Sequence, residues 1–166
     1  KRGIAVIVDV VYNHLTGNNA FDKMYSLDIN PFFNKVAPHP FSVFEDINHD
    51  NEVIVNHIKR SLGYLLTEYK VDGFRFDLSK GFTDSANGWN GVDQTRINLI
   101  KDYAKAIKAA DADSYIILEH WGQYSEESEY VRNDMHPWKK MNHEFCETAM
   151  GWGKVDLGGA HAWLDG

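Results

Sequence analysis

Val71-Asp72-Gly73-Phe74-Arg75-Phe76-Asp77-Leu78-Ser79-Lys80 is the stretch from which the rest of the chain is read. It follows a strongly helical pattern, and apolar and aromatic residues dominate its first half, so residues 71–77 are predicted to form a buried strand. Arg75 and Asp77 interrupt that strand near its carboxyl end. Strand side chains alternate between faces, so positions i and i+2 are neighbours on one side. A cation held that close favours the ionised carboxylate. Asp77 is therefore a candidate reacting group that stays anionic. A purely structural ion pair closing the end of a sheet is the alternative, and ten residues do not decide between them.

Working outward, the same pattern recurs on either side. Ile4-Ala5-Val6-Ile7-Val8-Asp9 is an apolar run ending in an acid, as expected of a strand buried on both faces. Ser114-Tyr115-Ile116-Ile117-Leu118-Glu119 repeats it, with His120-Trp121-Gly122 beyond. Between the strands lie helical periods. Asp50 or Asn51 can cap a helix with Ile54, Ile58, Leu62, Leu65 and Tyr69 on one stripe; Asp93 can cap a second with Ile97, Ile100, Ala104 and Ile107. Lys140–Phe145 reads as a fourth strand. Alternation of strand and helix with apolar strands means an α/β fold of parallel strands joined by right-handed crossovers. The pattern leaves open whether the sheet is part of a barrel or doubly wound. No glycine-rich phosphate fingerprint follows any of the strands, which weighs against nucleotide binding.

Bulk properties narrow the classes. With 166 residues the chain suffices for a domain with a real core. A formal net charge of -7 with no basic run disfavours nucleic-acid and anionic-membrane partners. The longest apolar run, Ile4–Val8, is far too short for a membrane span. The single cysteine, Cys146, excludes an internal disulfide. The opening Lys1-Arg2-Gly3 reads as a cut through a larger protein. Aromatic residues in loop-like sequence, Trp89, Trp121, Tyr124 and Trp138, offer flat faces of the kind that pyranose rings pack against. His39, His49, His57 and His136 read as surface or loop histidines, and His120 as a packing residue.

Asp9, Asp77 and Glu119 each stand at or just past the last apolar residue of a parallel strand, where β/α folds gather their reacting groups. Carboxylates drawn into one pocket repel, so their proton affinities separate. Asp77, beside Arg75, is expected to be the ionised member, and Glu119, with no cation in its own segment, the protonated one. That division suits a retaining glycosidase, which needs a nucleophile and an acid/base about 5 Å apart.

Asp9-Val10-Val11-Tyr12-Asn13-His14, Gly73-Phe74-Arg75-Phe76-Asp77 with Lys80, and Glu119-His120-Trp121 resemble, in order and spacing, three regions of the α-amylase family of glycoside hydrolases, family 13. Glu45-Asp46-Ile47-Asn48 resembles a fourth short piece of that family. The resemblance implies a (β/α)8 TIM barrel, of which residues 1–166 hold about strands three to six, with residues 15–50 as a short excursion after the first of them. It implies Asp77 as nucleophile, Glu119 as general acid/base and Arg75 as the residue orienting Asp77. Asp9 and His14 would bind the reacting sugar, Lys80 and Trp121 would also contact substrate, and the substrate would be an α-1,4-linked glucan or oligosaccharide. Asn13 and Asp46 match calcium-holding positions of many members, although calcium takes six to eight oxygens and two side chains do not make a site. Transglycosylation or isomerisation of α-glucosides with the same residues, and a non-catalytic carbohydrate-binding relative, stay open.

Two departures from the family pattern stand out. Gly81 replaces a histidine that often follows the lysine, which puts the leaving-group subsite and a backbone metal ligand in doubt. The family's His-Asp pair, which supplies a third catalytic acid, is not matched by His161-Ala162-Trp163-Leu164-Asp165, so that acid is expected outside these residues.

Overall fold

Four strands lie parallel in one sheet, in the order in which the chain makes them. The computed structural model describes residues 3–138 other than 42 and 84, together with 146, 149 and 150. Strand β1 (Ile7–Val10) is followed by a short antiparallel pair, β2 (His14–Leu15) and β3 (Glu45–Asp46). Then come α1 (Glu52–Tyr69), β4 (Gly73–Phe76), a 3-10 turn (Ser79–Gly81), α2 (Ala86–Asn90), α3 (Gln94–Ala110), β5 (Tyr115–Leu118), α4 (Tyr124–Val131) and β6 (His136–Pro137). The main sheet runs β1-β4-β5-β6, every neighbouring pair parallel.

Local sequence accounts for the helices. The Asn51 side chain accepts hydrogen bonds from the Val53 and Ile54 amides, and Asp93 does the same for Thr95 and Arg96, satisfying donors that a helix start leaves unpaired. Helix α1 ends at Lys70, in the left-handed region at φ 55°. Its buried stripe is Ile54, Ile58, Leu62 and Leu66; Leu65 packs only partly and Tyr69 is exposed, so the face is turned relative to the predicted one. In α3 the predicted Ile97, Ile100, Ala104 and Ile107 are all buried, joined by Arg96 and Tyr103.

These stripes cover one side of the sheet. Phe74, Phe76, Ile116 and Leu118 form a single buried cluster with the apolar residues of α1 and α3 and with Tyr130 of α4. Adjacent helices also pack on each other, α1 on α3 and α3 on α4. A strand order that never reverses, with crossovers of one hand, keeps successive helices on the same face. A doubly wound sheet would need a reversal, and the described strands contain none. Gly73 is required where β4 meets β5, because a Cβ there would lie 2.3 Å from the Tyr115 carbonyl oxygen. The opposite face carries Ile7, Asp9, Arg75, Tyr115, Ile117, His136 and Trp138 around an open groove of about 640 Å³.

One expectation is corrected. The first strand begins at Ile7 rather than Ile4 and is not buried on both faces; as an edge strand of the described sheet it leaves Ile4, Val6 and Asp9 exposed. The fourth strand of the sheet is β6, at His136–Pro137, whereas Lys140–Phe145 lies outside the described residues. Residues 15–50 have little regular structure, and their Phe32, Phe33 and Ile47 belong to the same buried cluster as the sheet and helices, with Phe33 bridged to Ile47. Among the described residues, no helix is long and apolar enough to cross a membrane.

Candidate active site

Register decides which acids meet. Asp9 pairs with Arg75, and Val10 pairs with Phe76, which in turn pairs with Leu118. Asp77 and Glu119 therefore stand level, each one residue beyond the last paired position, and Asp9 sits two residues deeper on the same face. The expected alignment of three acids becomes two plus one. The Asp77 amide donates to the Val10 carbonyl and the Glu119 amide to the Phe76 carbonyl, both at 3.0 Å, extending the ladder to the two acids.

Arg75 gathers all three. Its Nη1 donates to Asp9 Oδ1 at 2.7 Å and to Asp77 Oδ1 at 2.9 Å, while Nη2 lies 2.7 Å from Glu119 Oε2. Asp77 and Glu119 thus share one guanidinium, and their carboxyl groups are close enough to hydrogen-bond to each other. The same Glu119 oxygen accepts the Leu78 amide at 3.1 Å, and the Ser79 amide donates to the Glu119 carbonyl, so the turn after β4 is tied to the end of β5. Burial by itself would lower the Arg75 pKa; the hydrogen bond with Asp9 and the charges of Glu119 and Asp9 outweigh it and raise the pKa. The cation stays fixed.

Glu119 was expected to hold its proton because no cation lies in its own segment. The structure supplies one from the neighbouring strand, yet the pKa is raised all the same. Burial pushes it up, and Asp77 adds to that, against the Leu78 amide and the Arg75 charge, which pull down. Trp138, beside Pro137 at the end of β6, lays its ring 5.2 Å from the Arg75 guanidinium carbon and closes the far side. It is level with Glu119, and the sequence signal for it was its reading as an aromatic residue in loop-like sequence.

The other predicted residues fall into two further places. Lys80, on the 3-10 turn, sets its Nζ 4.5 Å above the Trp89 ring, and burial, then the Arg96 charge, lower its pKa. Trp121 is exposed beyond Glu119, with its backbone at φ 51°. His14, on β2, is paired in register with Asp46 on β3 and has Nδ1 3.3 Å from Asn13 Nδ2. Asn13 and Asp46 are both buried, and they meet across a third residue. Asn13 Oδ1 is hydrogen-bonded to His39 Nε2 at 3.1 Å, and Asp46 Oδ2 lies 3.1 Å from the same nitrogen. Asp46 Oδ1 accepts from Asn34 Nδ2 at 2.8 Å. Calcium wants six to eight oxygens at 2.3–2.6 Å. Asn13 Oδ1 is taken up by His39 and Asp46 Oδ2 is buried without a hydrogen-bond partner, and no group of three acidic, histidine or cysteine side chains able to hold a metal occurs among the described residues.

Two of the histidines read as surface or loop residues lie in loops yet are buried. His39 and His49 are buried, and His49 is held by the Tyr12 carbonyl and the Tyr103 hydroxyl, with burial driving its pKa down to about 4. His120 is fully buried and polar in its contacts: Nδ1 meets Ser79 Oγ at 3.1 Å and Nε2 meets Glu126 Oε1 at 2.9 Å.

Residues 39–158 match the family model described as alpha amylase, catalytic domain. The chain belongs to the α-amylase family. Among curated members it is 33% identical over 133 residues to isoamylase 3, chloroplastic, of Oryza sativa subsp. japonica, covering 73% of this chain and 16% of that protein. It is 28% identical over 130 residues to pullulanase A of Streptococcus pneumoniae, covering 75% of this chain and 9% of that one. Among solved structures, Eubacterium rectale Amy13B superposes with a TM-score of 0.73 at 19% identity, over 98% of this chain and 37% of that chain, a likeness of fold. The product complex of the multi-modular glycogen-degrading pneumococcal virulence factor SpuA matches with a TM-score of 0.53 at 26% identity, over 74% of this chain and 11% of that chain. The chain spans between 9% and 37% of the length of these relatives.

Proposed function

We propose that residues 1–166 are the middle of an eight-stranded (β/α) barrel, about its third to sixth strands, in a retaining glycosidase acting on α-1,4-linked glucans. Residues 15–50 are its short excursion. One observation carries the reading: a single guanidinium touches both Asp77 and Glu119, on adjacent strands, at the same height above the sheet. Helices on one face and an open groove on the other support the barrel, since a sheet of this kind must curl to cover its second face. The likeness to SpuA, a glycogen-degrading protein, supports the substrate class.

In this reading the Asp77 carboxylate attacks the anomeric carbon as the bond from that carbon to the leaving oxygen breaks, and the Glu119 proton goes to that oxygen. Glu119, now anionic, takes a proton from water as its oxygen joins the anomeric carbon, releasing Asp77 and restoring the starting protonation. Arg75 keeps Asp77 anionic and aimed, Asp9 and His14 bind the reacting sugar, and Lys80 and Trp121 lie on the leaving-group side. The family's third acid lies outside these residues, so residues 1–166 alone are expected to hydrolyse nothing.

A 2-deoxy-2-fluoro glucoside with a good leaving group traps a glycosyl-enzyme. Applied to the full-length protein, it is expected to add one sugar mass to the peptide carrying Asp77. A label on any other residue refutes the nucleophile assignment, and no label at all favours the non-catalytic carbohydrate-binding relative. Product analysis with maltose as added acceptor separates hydrolysis from transglycosylation.

A further inference from the structure

Asn13, Asp46, His39 and Gly81 form a cluster apart from the Arg75 site, and its filling differs from what the family resemblance implies. We infer that the His39 imidazole takes the place of a divalent cation between Asn13 and Asp46, so that this protein fastens residues 15–50 to the end of β1 with a metal-free clasp. Four observations converge on it.

First, Asn13 Oδ1 is hydrogen-bonded to His39 Nε2 at 3.1 Å, and Asp46 Oδ2, a buried oxygen with no hydrogen-bond partner, lies within ion-pair distance of the same nitrogen, also at 3.1 Å. A cation between them would have to displace the ring. Second, the ring cannot swing aside cheaply, because it is buried and stacks on Trp89 with centroids 5.0 Å apart and planes 18° from parallel. Third, the place where the resemblance expects a histidine is closed. A Cβ on Gly81 would lie 1.9 Å from Asn13 Oδ1 and 2.9 Å from His39 Nε2, so the imidazole comes from position 39 in the excursion, and position 81 must be glycine to admit it. Fourth, the other Asp46 oxygen and the backbone beside it are held by direct protein hydrogen bonds: Asn34 Nδ2 to Asp46 Oδ1, the Asn34 amide to the Asp46 carbonyl at 2.9 Å, and the Ile47 amide to the Asn13 carbonyl at 3.0 Å. They join β3 to the end of β1 without an ion.

Terbium(III), which stands in for calcium and emits when a nearby indole is excited, makes a direct probe, since Trp89 lies against the clasp. In the full-length protein, tryptophan-excited terbium emission is expected to be the same with and without Trp89→Phe, and the melting temperature to agree within about 1 °C in excess EDTA and in excess calcium. His39→Asp replaces the imidazole by a carboxylate and opens the space. It is expected to melt lower in EDTA and to recover by roughly 5 °C in calcium. Emission that needs Trp89 and is quenched by added calcium overturns the inference, using only folded wild type and a conservative variant. So does a wild-type calcium shift that Asp46→Asn abolishes, or a folded His39→Asp protein indifferent to calcium. A wild-type calcium shift unchanged in Asp46→Asn upholds it, with the ion bound elsewhere.

Discussion

Two arginines on neighbouring elements hold carboxylates in opposite ways. Arg96, at the start of α3, is wholly buried and gives every direction of its fork a partner. Nε and Nη2 each donate to Glu126 at 2.7 Å, and Nη1 donates to the Lys80 and Gly88 carbonyls at 2.9 Å. Glu126 in turn contacts His120, Tyr130 and the Asp93 amide. Burial alone would raise the Glu126 pKa, but the hydrogen bonds with His120 and Arg96 and their charges force it far below the carboxylate range. Arg75 faces three acids with one guanidinium and opens on a groove, and there Glu119 goes the other way. The difference is one of stoichiometry and solvation. A single carboxylate surrounded by donors is permanently ionised and fixes the turns that bear Ser79 and His120. Several carboxylates sharing one cation beside open space leave one of them able to carry a proton, which is the condition for chemistry.

That contrast is open to breakage, and the largest effect is expected at the reacting end. Asp77→Asn in the full-length protein should lower kcat on soluble starch by roughly 10⁴-fold, with the melting temperature preserved. Undiminished turnover there would mean that Arg75 serves structure alone. Arg96→Met should do the converse. Removing one partner of a fully buried pair costs about 3–5 kcal/mol, to be read as a fall in the urea midpoint, while the protein that stays folded at low temperature keeps most of its kcat.

The two glutamates should also give stability opposite slopes against pH. Glu126 has its pKa lowered on folding, so the folded state binds fewer protons there than the unfolded one, and its contribution is present above the ordinary glutamate value and lost as pH falls below it. Glu119 has its pKa raised, so the folded state binds more protons and stability falls as pH rises through the window above that value. Denaturation midpoints of Glu126→Gln and Glu119→Gln between acid and neutral pH would show it: relative to wild type, Glu119→Gln gains as pH rises and Glu126→Gln loses. Equal slopes for the two variants would dissolve the distinction. Trp138→Leu should give the smallest effect. Losing a cation–π contact of about 0.5–1 kcal/mol should raise KM two- to fivefold without moving the urea midpoint.

Much of this was readable in the chain because it is local. Asn51 and Asp93 cap their own helices within three residues, the stripe of α3 follows helical spacing, and Arg75 and Asp77 neighbour each other through strand alternation. Where the same logic reached further, it slipped. Tyr69 kept the spacing of α1 but lies at the helix end, past the core. Asp9 looked level with Asp77 and Glu119 until register put it opposite Arg75. His39, His49, Arg96 and Glu126 are polar residues in polar stretches, and no local pattern distinguishes a solvated one from one buried with partners 26 to 54 residues away.

Alternating backbone and helical period, acting over a few residues, were enough to determine the parallel α/β plan, the helix starts and the pairing of Arg75 with Asp77. Only the tertiary structure decided that the same guanidinium reaches Glu119 from the next strand, that Arg96 bolts the turns behind it, and that His39 stands between Asn13 and Asp46. The reason is physical: strand register, burial and a ring's final seat are set by packing between segments distant along the chain, and packing has no signature in any one of them.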